Sequence, residues 1–275
     1  MLGLLLLQVF ASCLWLGHSE VVTSFESCPQ FFYAHHYPND VLHPQNPAWI
    51  CQHYRNQNHY ATLYDRQKRI PVYSAYIYQP GNGTESPVSF VEPQLISQTY
   101  AKKMDTEESV EDQYNINLEL ISQSQAIKED YNKLQDLECC PLSPSGHQSG
   151  NSNKWATATL TNIVPQNRAL RQGSWKHYEE TTMPQKTQGC DTTYVITGAV
   201  PGNSSISNGR VNVPSHIWSA ACCLVDTNPT RAWGAIAEND KDEVEHLMLG
   251  ELESWLAELY GGRMVNLFNN ACPRE

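Results

Sequence analysis

Positive charge is scarce in this sequence. Its 275 residues carry 18 Lys and Arg against 29 Asp and Glu, a formal net charge of −11. A protein that holds a polyanion by neutralising its phosphates usually has the opposite balance, so the charge argues against strong nucleic-acid binding, while a local basic patch is not excluded. Long apolar runs are also few: beyond the first residues no stretch approaches the roughly 20 residues that span a bilayer. Zinc-type CxxC pairs are missing, as are a Gly-rich loop to cradle phosphate and a GxSxG turn to expose a serine nucleophile. No internal repeat and no long linker divides the chain, whose length suits one sizeable domain or two small ones.

What is present begins with Leu2 to Leu16, an almost uninterrupted apolar run ending in Gly17-His18-Ser19. Small residues at Gly17 and Ser19 fit a signal-peptidase site, so residues 1–19 read as a secretory leader and 20–275 as the mature domain. A retained amino-terminal anchor is the alternative, and the run is short for it. Cys13 lies in the leader. The other eight cysteines, Cys28, Cys51, Cys139, Cys140, Cys190, Cys222, Cys223 and Cys272, are expected to form a disulfide framework in an oxidising, extracellular setting. About 105 pairings are open. The adjacent pairs Cys139-Cys140 and Cys222-Cys223 each reach two other segments rather than each other, because neighbours bridge only with strain. Asn82 and Asn203 open two N-glycosylation sequons in Gly/Ser-rich turns.

Local patterns give an α+β order. Residues 28–60 read as an irregular aromatic- and His-rich segment pinned by Cys28 and Cys51. Residues 60–78 read as a hairpin turning at Asp65 to Arg69. Residues 80–112 read as exposed and turn-rich, then acidic. Apolar spacing predicts a helix within 115–135, at least from Ser122 onward. Strands are predicted at 157–164, 193–197 and 216–225, and helices from about Ala169 and over 242–260, the last stopped by Gly261-Gly262. His35, His36, His43, His53 and His59 follow no metal-ligand spacing and read as surface histidines.

The stretches ATLYD (61–65), RIPVYSAYIY (69–78), SQAIKEDY (124–131), SGH (145–147), TLTNIVPQN (159–167), QGSW (172–175) with Glu179, YVITG (194–198) and the residues 213–223 resemble, in order, the DNA/RNA non-specific endonucleases, in particular their secreted endonuclease domain-containing 1 group. The resemblance covers most of the mature chain. It implies a single ββα-metal (His-Me finger) endonuclease-like domain and, in an intact member, hydrolysis of DNA or RNA phosphodiester bonds. There a histidine deprotonates water, and a Mg²⁺ bound by a helix asparagine and by water holds the phosphate. Carried over, the general base is His147, the residue orienting the ion's water is Glu179, and the asparagine that steadies the site is Asn162, expected with Arg168 and Arg171 among the nucleic-acid-binding residues. The metal-binding asparagine is replaced by Arg171, which has five donors and no acceptor and would repel Mg²⁺. The Asp-Arg before Gly-His is replaced by Pro144-Ser145.

Arg171, Trp175 and Glu179 recur four apart and share one helix face. Arg171 and Glu179 stand about 12 Å apart along the axis, too far for contact through backbone geometry alone, yet able to line one cleft. Arg168, Arg171, Lys176 and Lys154 form a basic cluster that could hold phosphate or balance the acidic stretch 105–112. Three readings stay open: a metal nuclease with an altered ligand set, metal-independent cleavage with Arg171 in the cation's place, and a nuclease fold without catalysis that binds a partner. Bland readings stand beside these: His147 as a loop histidine, Glu179 on a solvated face, Trp175 in the core.

Overall fold

In the computed structural model, residues 21–132 and 134–275 are described. The leader expected over residues 1–19 lies outside them. The strands are β1 (Val21–Val22), β2 (Pro47–Tyr54), β3 (Gln57–Asp65), β4 (Ile70–Ile77), β5 (Leu137–Pro141), β6 (Ile163–Asn167), β7 (Thr192–Ile206), β8 (Val211–Val225), β9 (Asn228–Glu238) and β10 (Glu245–Leu247). Eight form one sheet in the order β1-β2-β3-β4-β7-β8-β9-β10, antiparallel throughout. β5 and β6 pair separately. The long excursion between β4 and β7 carries β5, β6 and most of the short helices.

Both faces of the sheet are covered. Alternation along β8 sends Ile217, Ala221 and Cys223 to one core and Trp218, Ala220 and Cys222 to the other. The first core lies under the excursion. The second lies under the amino-terminal segment and the helix Leu249–Leu259. Central strands therefore read as continuous apolar runs. Trp218 is fully buried and packs across Gly198, where an added Cβ would stand 2.2 Å from the indole.

The first core's side of the sheet also carries a row of hydroxyls. Thr62 pairs with Ser74, Ser74 with Thr197 and Thr197 with Ser219. All four are buried, and Thr62 and Ser74 are bonded at 2.9 Å. Small polar side chains here let the excursion sit close and give it partners to bond.

Where the patterns are local, they hold. The hairpin turns at Asp65, whose Oδ1 accepts from the amides of Gln67 and Lys68 at 2.9 and 3.0 Å. The adjacent cysteines do part: Cys222 bridges Cys272 and Cys223 bridges Cys190, while Cys28 bridges Cys51.

Tertiary contacts overturn other expectations. Cys139 and Cys140 are unbridged, one exposed and one buried, so the framework is three disulfides. In 115–135 the α-helix is Leu118–Ser124, which stops just past Ser122, the point from which helix is expected, and only a 3₁₀ turn follows at Lys128–Tyr131. The α-helix ends because the Gln125 amide turns inward to bond the backbone N–H and C=O of Glu92 at 2.8 and 2.9 Å. Glu92, Gln94 and Leu95 are buried, so 80–112 is not wholly a surface loop. The strand expected at 157–164 starts at Ile163, after a 3₁₀ turn over Leu160–Asn162. The segment 28–60 contains the regular strand β2, and the strands at 193–197 and 216–225 extend to fifteen residues each. The last helix is Leu249–Leu259, because residues 245–247 pair with β9 and Glu251 reaches back to the amide of Met248 at 2.8 Å.

One buried ion pair fastens the excursion to the β7–β8 turn. Asp130 accepts from Arg210 Nε at 2.8 Å, from Ser207 Oγ at 2.6 Å and from the Ile127 amide at 2.9 Å. Burial pushes its carboxyl up, but these donors outweigh burial and hold it below the usual carboxylate range. Arg210→Met should therefore lower stability by roughly 2–4 kcal/mol, since one buried charge loses its counterion, as read from urea unfolding with disulfides intact. Because the folded pKa is depressed, the contribution of this group is present above about pH 4 and lost as pH falls further; the variant should show a shallower acid loss. The β8–β9 turn gives a second test. Asp226 and Thr227 have φ of 49° and 70°, a two-residue turn of the kind that favours Asn-Gly. Thr227→Gly should raise stability by about 0.5–1 kcal/mol in the same measurement.

Candidate functional site

β5, β6 and the helical run that follows form a ββα unit. Asn167 starts the run: its Oδ1 accepts from the amides of Ala169 and Leu170 at 2.9 and 3.4 Å. The run is not one straight helix. It passes from Arg168–Gln172 to Ser174–His177, then to a π turn over Tyr178–Thr182 and on to Met183–Lys186. Gly173 makes the break (φ −100°, ψ −114°), and Asp242 caps the new segment by accepting from the Ser174 amide at 2.7 Å.

That geometry brings together what a straight helix holds apart. Arg171 Nη1 donates to Glu179 Oε2 at 2.5 Å. Trp175 Nε1 donates to Glu179 Oε1 at 3.0 Å. The expected separation is therefore bridged, by the reach of the arginine and by the break at Gly173. Trp175 is a core residue, 2% exposed. Glu179 is buried rather than on a solvated face. Burial opposes the charge of Arg171, but Glu179 beside it outweighs that and holds the guanidinium above its ordinary pKa. Each carboxylate oxygen thus has a charged or indole donor from the chain itself.

His147 sits in a 3₁₀ turn over Ser145–His147 and is 4% exposed. Nδ1 lies 2.9 Å from Tyr76 Oη, and Nε2 lies 3.1 Å from the backbone oxygen of Glu179. A carbonyl oxygen only accepts, so Nε2 carries the proton, and Nδ1 accepts from the tyrosine. Burial keeps the Tyr76 phenol well above its ordinary pKa, so it remains a donor. Burial also lowers the His147 pKa, against the opposing pull of Glu179, which favours the neutral ring. The ring is packed edge-on to Tyr78, with centroids 4.8 Å apart. A general base needs a lone pair aimed at water. The one lone pair of His147 is taken by Tyr76.

Asn162 is fully buried, and all its hydrogen-bonding capacity is used within the chain. Oδ1 accepts from Ser74 Oγ and the Ser143 amide at 2.8 and 3.0 Å, and Nδ2 donates to the Ser143 and Thr157 carbonyls at 3.0 Å each. It clamps the His147 loop to the sheet and offers nothing to nucleic acid. Arg168 is at the surface and paired with Glu138 at 3.2 Å. Lys176 faces Glu180 at 4.0 Å. The basic cluster is thus matched by acids of the chain itself, except for Lys154.

The residues present do not fit a Mg²⁺ ion. The position that the resemblance assigns to the metal-binding asparagine holds a guanidinium, both oxygens of Glu179 are engaged, and among the described residues no group of three His, Cys, Asp or Glu could hold a metal, the amino-terminal histidines included. Sequence reading missed Tyr76 and Trp175 as partners of the candidate residues. The signal was available for Tyr76: it lies two residues after Ser74, on the face that carries the hydroxyl row.

Comparison with known proteins agrees with the geometry. The DNA/RNA non-specific endonuclease family profile matches residues 37–256. The chain is 31% identical over 242 residues to the Endonuclease domain-containing 1 protein of Mus musculus, covering 84% of this chain and 46% of that protein. It is 30% identical over 248 residues to the Homo sapiens protein of the same name, covering 86% and 47%. The chain thus spans about half the length of the curated relatives it matches. Its fold is also similar to a chain in the crystal structure of the EndoG/EndoGI complex, with a TM-score of 0.51, 14% identity, and coverage of 78% of this chain and 85% of that one. With a ββα unit at the centre of an α+β fold and the family profile running through most of its length, the chain belongs to the DNA/RNA non-specific endonuclease family.

Proposed function

We propose that this chain is a secreted, nuclease-fold binding protein that does not hydrolyse phosphodiester bonds. The observation that carries this is the Arg171–Glu179 pair, which fills the cation's place with a fixed positive charge and engages the carboxylate that would orient a water shell. The buried and doubly bonded His147 supports the same reading. Metal-independent cleavage would need Arg171 to face a phosphate, but its charge is spent on Glu179, beside a carboxylate that repels anions. Secretion is supported by the apolar leader and three disulfides, and carriage of glycans by the exposed Asn82 and Asn203.

In this reading the former catalytic groups form a structural lock. Tyr76 donates to His147, and His147 donates to the helix backbone at Glu179. The carboxylate of Glu179 then draws in Trp175 and Arg171. The lock ties β4 to the helical run through the loop after β5.

Mature protein from a secretory host should leave plasmid DNA and single-stranded RNA intact with Mg²⁺, Mn²⁺ or EDTA. Cleavage that is lost in His147→Ala would overturn the reading. Arg171→Asn should not create Mg²⁺-dependent cleavage, because His147 stays capped. It should instead lower stability by roughly 3 kcal/mol by stranding the Glu179 charge. The histidine gives a pH test. Its folded pKa lies below the unfolded value of about 6.5, so below that pH the unfolded chain binds more protons and stability falls. Unfolding free energy should be flat above about pH 7 and decline towards pH 5, and His147→Gln should remove part of that decline.

A further inference from the structure

A second site lies on the other core's side of the sheet, away from His147. A cavity of about 450 Å³ opens there between the amino-terminal segment and the ends of β7 and β8. Its aromatic walls are Tyr33 and Tyr194, with ring centroids 5.7 Å apart and planes at 52°, and the buried Phe32 lies behind them. Two carboxylates line it, Asp191 and Asp226. Asp191 Oδ2 accepts from the Asp226 amide at 2.8 Å, which holds the first carboxylate against the turn that bears the second. Neither forms a salt bridge among the described residues, and the lining holds one histidine, His35, and no lysine or arginine.

We propose that this pocket binds an organic cation of arginine size, a guanidinium or alkylammonium group seated against the two tyrosines and neutralised by Asp191 and Asp226. Aromatic faces attract cations through their quadrupoles, and a guanidinium also matches carboxylates by paired hydrogen bonds. The volume accommodates one such side chain or a small diamine, not a folded segment. The net charge of −11 raises the local concentration of cations. Two further features hold the walls. The Cys190–Cys223 disulfide adjoins Asp191 and fixes it to β8. The turn at Asp226 uses aspartate where asparagine satisfies the backbone equally well, so the carboxylate adds charge to the pocket that the turn does not need.

This deepens the reading of the chain as a binding protein by naming what is bound, and its test is independent of cleavage. Titration calorimetry on the full mature protein would use agmatine and, separately, the peptide acetyl-Gly-Arg-Arg-Gly-amide, in buffer of physiological ionic strength. Saturable binding with a Kd of about 1 mM or tighter is expected for at least one probe, in the range of a single cation site. Asp191→Asn/Asp226→Asn should weaken it at least about tenfold while the far-UV spectrum is unchanged, since asparagine keeps the acceptor at 191 and suits the turn at 226. Tyr194→Leu should weaken it about fivefold, and His147→Gln should leave it unaltered. A tighter fit for the peptide would mark a basic segment of a protein as the source, and equal affinity a free amine. No saturation by either probe up to about 10 mM, a concentration far above any useful site affinity, would overturn the proposal, as would full-strength binding by the double variant. Nuclease activity with intact cation binding would sink the proposed function and leave the pocket standing.

Discussion

A carboxylate buried beneath an indole needs a counter-charge, and in this chain Arg171 supplies it. Glu179 is buried against the first core, where a carboxylate left without partners would cost several kcal/mol. Trp175 and Arg171 are its donors. Once Arg171 is committed, both charges of the pair are neutralised within the chain. The same pairing holds the backbone of Glu179 where it accepts from His147, so the state of the histidine follows from the state of the glutamate.

The lock rests in turn on a polar stratum inside the molecule. The row Thr62, Ser74, Thr197, Ser219 gives the excursion between β4 and β7 something to bond to. Asn162 joins that row to the loop of His147, and Tyr76 lies within 3.4 Å of Thr197. Such a network specifies one arrangement: each hydroxyl satisfied in place is an unsatisfied group anywhere else. An all-apolar interface would hold the excursion as firmly but would not fix the ring of His147 or the amide of Asn162.

Much of this was legible in the sequence, and the limits have physical causes. The hairpin at 60–78 was readable because turn chemistry and strand alternation are both local. The parting of Cys222 and Cys223 was readable because neighbouring cysteines bridge each other only with strain. Stretches decided by distant partners were not. Gln125 ends a helix because it meets Glu92, and residues 245–247 become a strand because β9 is beside them. Cys139 and Cys140 were counted into a framework whose geometry only the fold could set. At the site, the residue identities were legible and their meeting was not. Eight positions on an ideal helix keep Arg171 from Glu179, and the break at Gly173 with the π turn that follows cannot be read from periodicity.

The placement of the three disulfides divides the molecule unequally. Cys28–Cys51 and Cys222–Cys272 tie the large sheet to its second core, and Cys190–Cys223 ties the start of β7 to β8 on the first core's side. None reaches into residues 78–189, which hold His147, Asn162, Arg171 and Glu179. Residues 78–189 are held to the sheet by packing, hydrogen bonds and the Asp130–Arg210 pair, and by no cross-link among the described residues. Selection therefore meets two materials in one domain. Side chains in the excursion, Arg171 among them, can change without touching the covalent frame, whereas a change at any of the six bridged cysteines cannot.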